Sequence, residues 1–348
     1  MSDLVHQKSW VNRLGTTRLL IILTLILIAI TLVSMSLGRY DFAPWASWQA
    51  LFQHLGWIES EENPLLVSLL LDVRLPRVLA AISIGAALAI SGAAFQALFM
   101  NPLVSPGILG VLSGSAFGAS LGILLFESLW IMQLLTFIFG LAAVAIALLL
   151  AKGELRHNMI ILVLGGMITG ALFTAFLSII KYVADPYSKL PTITYWLMGS
   201  LANVQTDVLY SVLPFIVLGV LWLMMQGHVL NVLSLGDDEA QTLGINVNRK
   251  RFLIIVVASF LSAMTVTLGG MIGWVGLVIP HLARLFFGSD NRLLLPVSAL
   301  LGGIYLMLVD NMARWMMSVE IPLGILAALI GLPVFAWALK NARRVWQH

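Results

Sequence analysis

Long apolar runs, separated by short polar punctuation, make up most of this chain. A helix that crosses lipid needs roughly 20 apolar residues. Runs of that kind fall at 19–37, 75–100, 106–126, 131–151, 158–181, 206–226, 252–268, 270–287, 293–311 and 321–340. They predict ten transmembrane helices in an all-α polytopic membrane protein, with both termini on one side. The first run follows Lys8, Arg13 and Arg18, as in a signal peptide. It is long for such a region, and no small-x-small cleavage site follows in SMSLGRY, so a retained first helix is expected.

Composition agrees with the pattern. Of 348 residues, 60% are hydrophobic and only 10% charged, and the mean hydropathy is +0.99. A soluble domain needs more charge to cover its surface, so the bilayer replaces water as the main solvent. No polar stretch is long enough for a separate soluble domain. Residues 1–348 read as a single transmembrane domain, with a loop at 38–73 carrying Trp45, Trp48 and Trp57 and another at 227–251. The net charge of +3 comes from basic residues scattered at helix ends, which does not suggest a nucleic-acid partner. The chain has no cysteine, which excludes disulfides, thiolate-bound zinc and thiol catalysis.

Orientation follows from lysine and arginine in the loops. The side holding both termini carries thirteen of the nineteen, including Arg249, Lys250, Arg251, Arg284 and Arg292. The other side carries six: Arg39, Arg74, Arg77, Lys181, Lys189 and Arg314. Both termini are therefore expected to be cytoplasmic.

Small residues mark helix contacts. Gly110, Gly114, Gly118 and Gly122 recur every four residues in the third span, and Gly166 and Gly170 do so in the fifth. Such faces let helix backbones approach closely in lipid, and packing is the reading favoured for them. The semi-apolar loop 185–205 contains ITYWLMGSL, which suits a short helix at the membrane surface.

Two absences bear on energy supply. The spans hold almost no mid-membrane charge of the kind an ion-coupled carrier uses. The Gly-Lys dipeptide of a G-x-x-x-x-G-K-[ST] phosphate loop never occurs, and H-E-x-x-H is missing. If the chain moves a solute uphill, a partner must supply the energy.

Three places carry candidate chemistry. In the 227–251 loop, Asp237, Asp238 and Glu239 follow Gly236, where a helix N-terminus favours negative charge. Ala240 to Leu243 continue the turn, and Gly244 suits a left-handed stop, with a second turn near Asn246 to Arg249. A short helix held outside the membrane is either a lever for an ATPase subunit or an ordinary capped connector. Arg74 and Arg77 share a face at the mouth of the second span, and Arg314 lies at another outer helix end. They either anchor to lipid phosphates or dock acidic groups of an outer partner. Asn101 and Pro102 form a turn, after which Ser105 and Pro106 fit the cap and first position of the third span.

In order, RLPR, GAALAISGAAFQALFMNPLVSPGILG, LSLGDDEAQTLGI, GWVGLVIPHLARLFFGSDNRLLLP and EIPLGILAALIGLPVFAWAL resemble the permease subunit of type II ABC importers. That family imports iron–siderophore complexes, haem and vitamin B12. The resemblance runs from about Gly38 to the C-terminus. It implies ten transmembrane helices, a second permease copy or paralogue, two cytoplasmic ATPase subunits and a periplasmic binding protein, all at the bacterial inner membrane. ATP and magnesium would be used by the ATPase partner, with no cofactor bound by this chain. The family's docking arginines fall on Arg74, Arg77 and Arg314. Its ATPase-coupling segment falls on Gly236, Asp237, Asp238, Glu239, Ala240, Leu243, Gly244 and Asn246. Its translocation path falls on Gly166, Met167, Thr169, Phe173 and Phe176, with the segment after Pro322. A cytoplasmic gate would lie near Asn158 and Met159, where the sequence departs from the small hydroxyl residues of some relatives.

The reading that results is a permease subunit working by ATP-driven alternating access. An iron–siderophore complex is the first expectation for cargo, with haem, vitamin B12 or molybdate as alternatives. An ion-gradient-driven carrier is the reading from another class, and a structural or receptor-like membrane protein a third.

Overall fold

The computed structural model describes residues 15–36, 44–54, 56–57, 63–152, 159–202, 204–316 and 319–346. Among them every regular element is helical. The first three helices are α1 (Thr16–Ser36), α2 (Pro44–His54) and α3 (Pro64–Leu98). α4 (Val111–Leu125), α5 (Leu129–Leu150), α6 (Met159–Val183), α7 (Lys189–Leu197) and α8 (Thr206–Met225) follow. The rest are α9 (Gly227–Leu233), α10 (Asp237–Thr242), α11 (Val247–Gly269), α12 (Val275–Phe287), α13 (Asn291–Trp315) and α14 (Leu323–Trp346). Seven of these (α1, α3, α5, α6, α8, α11 and α13) are long and apolar enough to cross a membrane. The shorter apolar helices α4, α12 and the 323–338 part of α14 occupy the three remaining predicted spans.

Three boundaries differ from expectation. The second span begins not at Leu75 but at Pro64, and it passes through a π-helical stretch at Leu69–Arg74. The Asn63 side chain accepts from the Leu66 amide, and Pro64 costs nothing in the first turn. Much of the expected 38–73 loop is thus helical, since α2 occupies another part of it. The third span is split. Pro106–Leu109 form a 3-10 turn, and Gly110 at φ +82° redirects the chain into α4. The Gly-Gly junction between spans seven and eight is longer than read. Gly270 ends α11 at φ +69°, and α12 starts only at Val275.

α3 is the hub, with 83% of its apolar window buried against 22–28% for α1, α5, α6 and α8. Its small residues bring backbones together: a Cβ on Gly85 would overlap the Gly302 carbonyl of α13, and one on Gly92 the Gly276 carbonyl of α12. Without a hydrophobic drive between helices in lipid, such close approach supplies the packing energy. The glycine stripe of α4 does the same against α5, where a Cβ on Gly118 would overlap the Leu135 carbonyl and one on Gly122 would come within 2.6 Å of Met132 Cα. Asn101 makes the expected turn, its Oδ1 accepting from the Leu103 amide at 2.9 Å.

The 185–205 loop contains the expected short helix, α7. Beyond it, Gly199 at φ +74° ties three elements together. Ser200 N–H donates to the Gly269 carbonyl at 2.9 Å. The first amides of α14, on Leu323 and Gly324, donate to the carbonyls of Gly199 and Met198 at 2.8 and 3.0 Å.

Candidate functional site

Two polar clusters stand at opposite ends of α13. From Asn291 to Asp310 that helix rises about 28 Å, close to the thickness of a bilayer core.

The cluster at the start of α13 is built around the short helix α10. Its end is a complete Schellman motif: Ile245 N–H donates to the Ala240 carbonyl at 3.0 Å and Gly244 N–H to the Gln241 carbonyl at 2.9 Å. Gly244 holds φ +81° there, as its position after the helix predicts. The expected second turn at Asn246 to Arg249 is the beginning of α11, and Asn246 Oδ1 caps it by accepting from the Arg249 amide at 3.0 Å. Asp237 faces inward and pairs bidentately with Arg251 of α11, at 2.7 and 2.6 Å. Arg251 is 4% exposed, so this pair fixes α10 to α11 from within. Asp238, Glu239 and Leu243 point outward, and Leu243 is 62% exposed although apolar.

A second attachment comes through α9. Asn231 Nδ2 donates to Asp290 Oδ1 at 2.7 Å, and its Oδ1 accepts from the Asn291 amide and Nδ2, each at 2.9 Å. Asp290 also caps α13 by accepting from the Arg292 amide at 3.0 Å. The Arg292 side chain, helped by Asn231, holds the Asp290 carboxyl well below the usual carboxylate range. The α9–α10 unit is therefore bolted to α11 and to the α12–α13 junction. Sequence reasoning missed Asn231, Arg251 and Asp290, whose partners lie up to 60 residues away.

The cluster at the other end of α13 collects the three arginines singled out above. Each one is engaged inside the protein. Arg74, 4% exposed, donates from Nη1 to the Met35 and Ser36 carbonyls at 2.7 and 3.1 Å and so closes the end of α1. Arg77 clasps Asp310 of α13 through Nε and Nη2 at 2.8–3.1 Å and Glu320 through Nη1 and Nη2 at 3.0 and 2.8 Å. Arg314 Nε lies 3.2 Å from Asp310 Oδ2, and its Nη2 donates to Asn311 Oδ1. The three arginines expected at outer helix ends thus form a buried, largely neutralised network with Asp310 and Glu320. Periodicity places Arg74 and Arg77 on one face but cannot show which carboxylates meet the arginines.

On α6 the expected path residues separate. Met167 and Phe176 are exposed, at 59% and 39%. Thr169 is fully buried, with its hydroxyl donating to the Gly165 carbonyl at 2.8 Å. Phe173, 4% exposed, sits in a ring cluster with Phe117, Phe139 and Phe176. Thr169 and Phe173 therefore turn into the protein rather than toward an open surface. Gly166 packs on the Ile108 carbonyl before α4. Met159 opens α6 half-buried, while Asn158 lies outside the described residues. A cavity of about 790 Å³ behind α7 is lined by Met132, Gln133, Tyr195, Trp196, Gln205 and Thr267 among others.

Hydrolytic chemistry finds no support in this geometry. Gly118 to Gly122 match G-x-S-x-G, but Ser120 is buried inside α4 instead of sitting on a strand-to-helix turn. Among the described residues, no three His, Asp or Glu side chains gather as metal ligands would.

Comparison with known proteins agrees with the fold and with the motifs. The FecCD transport family matches residues 25–341. The chain is 39% identical over 323 residues to the molybdate import system permease protein MolB of Haemophilus influenzae, covering 92% of this chain and 95% of that one. It is 37% identical over 316 residues to the vitamin B12 import system permease protein BtuC of Vibrio cholerae, covering 90% of each. Among solved structures it superposes, with TM-score 0.84 and 38% identity, on a metal-chelate type ABC transporter in an inward-facing conformation, covering 93% of this chain and 99% of the other. The chain belongs to the FecCD transport family and is a multi-pass membrane permease of the type II ABC importer class.

Proposed function

We propose that this chain is the conduit of a binding-protein-dependent importer and that a separate ATPase drives it through α10. The observation that carries this reading is the construction of the α9–α10 unit. It is clamped to α11 by Asp237–Arg251 and to α13 by Asn231–Asp290, yet it presents Leu243, Asp238 and Glu239 outward. A push on that surface is passed to two spanning helices rather than absorbed by a loop. In this reading α10 and both termini face the cytoplasm of a bacterial inner membrane. Two ATPase subunits, using ATP and magnesium, press on α10 of two permease copies or paralogues. A periplasmic binding protein docks at the opposite end, over Arg74, Arg77 and Arg314.

The path would run along the exposed side of α6, where Met167, Ala171, Thr174 and Ser178 share one face with no charge. Such a lining passes a bulky ligand along without gripping it. A metal chelate is the cargo we favour, because the superposed transporter is of metal-chelate type. An iron–siderophore complex is the first candidate, and molybdate or vitamin B12 uptake would redirect that choice without touching the mechanism.

The chain has no cysteine, so a Leu243→Cys variant carries a single thiol. In right-side-out vesicles that thiol should resist a membrane-impermeant maleimide and should cross-link to the co-expressed ATPase. Labelling from outside would contradict the orientation and the lever together.

A further inference from the structure

Arg77 has no open edge for a further anion. All three guanidinium nitrogens are engaged, by Asp310 on one side and Glu320 on the other. The two carboxylates are not equivalent. Asp310 is 1% exposed, fixed within α13, and shared with Arg314. The Glu320 side chain is 18% exposed and belongs to no helix, lying just ahead of α14. Taking Asp310 away would strand two buried cations, which is strongly unfavourable. Releasing Glu320 returns its carboxylate to water while Asp310 still faces Arg77, so the buried cation keeps one counter-charge.

We propose that Arg77 is a carboxylate-exchange site: Glu320 occupies the position that an acidic side chain of the docking protein takes. This rests on the docking reading above and adds an internal competitor to it. With Asp310 on the Nε/Nη2 edge, the Nη1/Nη2 edge fits a single further carboxylate, so the incoming acid must displace Glu320. Docking affinity is then reduced by the fraction of time Glu320 holds that edge. Displacement also frees the segment that leads into α14, whose first amides are bonded to the carbonyls behind α7. Occupancy at Arg77 thereby acts on the entry of α14.

The test uses the full-length chain in lipid nanodiscs and its purified cognate periplasmic binding protein, titrated by fluorescence anisotropy. Glu320→Gln should bind roughly three- to fivefold tighter than wild type, the range expected from removing a partly exposed ionic competitor. Glu320→Asp, with its charge kept but its reach shortened, should show a smaller gain, and it decides the question if the Gln variant does not fold. Arg77→Gln should weaken binding. If Arg77→Gln weakens binding while neither Glu320 variant tightens it, the exchange is overturned and docking at Arg77 stands. If Arg77→Gln leaves binding unchanged, docking at Arg77 is itself overturned, and the exchange with it.

Discussion

Arg77 and Asp310 meet in register with a backbone contact two turns away. Gly85 follows Arg77 by eight residues, and Gly302 precedes Asp310 by eight, so antiparallel α3 and α13 repeat the same offset, about 12 Å of rise. The glycine contact draws the helix axes close enough for the short Asp310 side chain to reach the guanidinium at 2.8 Å. One feature sets the distance and the other uses it.

Breaking the charge pair from one side should therefore cost more than removing both charges. Asp310→Asn leaves Arg77 and Arg314 short of their buried counter-charge, and a loss of about 3–5 kcal/mol is expected. Arg77→Met with Asp310→Leu should recover part of that loss. Thermal unfolding in detergent measures both, and equal melting temperatures would refute the argument.

The glycine contact makes its own prediction. Gly302→Ala places a methyl on the Gly85 carbonyl and should destabilise by about 3 kcal/mol, at the upper end of overpacking costs. Gly273→Ala meets no atom within 4 Å and should be close to neutral. Similar effects at both positions would show that α3 and α13 do not touch as described.

The two aspects of α10 are separable. Leu243→Ala alters only an exposed side chain, so the fold should hold while ATPase binding weakens roughly tenfold. Asp237→Asn instead removes the carboxylate charge that faces buried Arg251 and should loosen α10 itself. Pull-down of the ATPase and limited proteolysis of the 227–251 segment distinguish the outcomes. Wild-type ATPase binding by Leu243→Ala would remove that residue from the contact.

Asp290 gives the attachment of α9 a pH dependence of known sign. Its folded-state pKa is depressed, chiefly by the Arg292 side chain, so it contributes stability above its unfolded value near 4. That contribution is lost as pH falls through the folded value. Amide exchange over 227–234, corrected for intrinsic rates, should stay protected from pH 8 to about 4 and lose protection progressively below that, as pH falls toward the folded value. Asp290→Asn should show reduced protection at pH 7 already. Protection unchanged in that variant would mean the Asn231 bonds alone hold α9.

What the sequence could and could not disclose follows from the range of each interaction. The all-helical, apolar character, the Asn101 turn, the α4 glycine stripe and the Gly244 stop depend on residues within a few positions of one another, and each was readable. The helix running from Pro64 to Arg74 was not, because Asp72, Arg74 and a π-helical stretch interrupt the apolar run that marks a span. Periodicity showed that Arg74 and Arg77 share a face. It carried no information about Asp310, 233 residues away from Arg77. On α6 it could not separate Met167 from Thr169 or Phe173, since which side of an all-apolar helix turns inward is decided by the neighbour it meets.

The most direct measurement of the whole account is uptake by proteoliposomes containing this chain and its ATPase. Metal-chelate accumulation is followed as ATP, the binding protein and a proton gradient are supplied separately. Accumulation should require ATP and the binding protein together, and should be abolished when α10 can no longer engage the ATPase. Accumulation driven by the proton gradient alone, without the ATPase, would contradict the account.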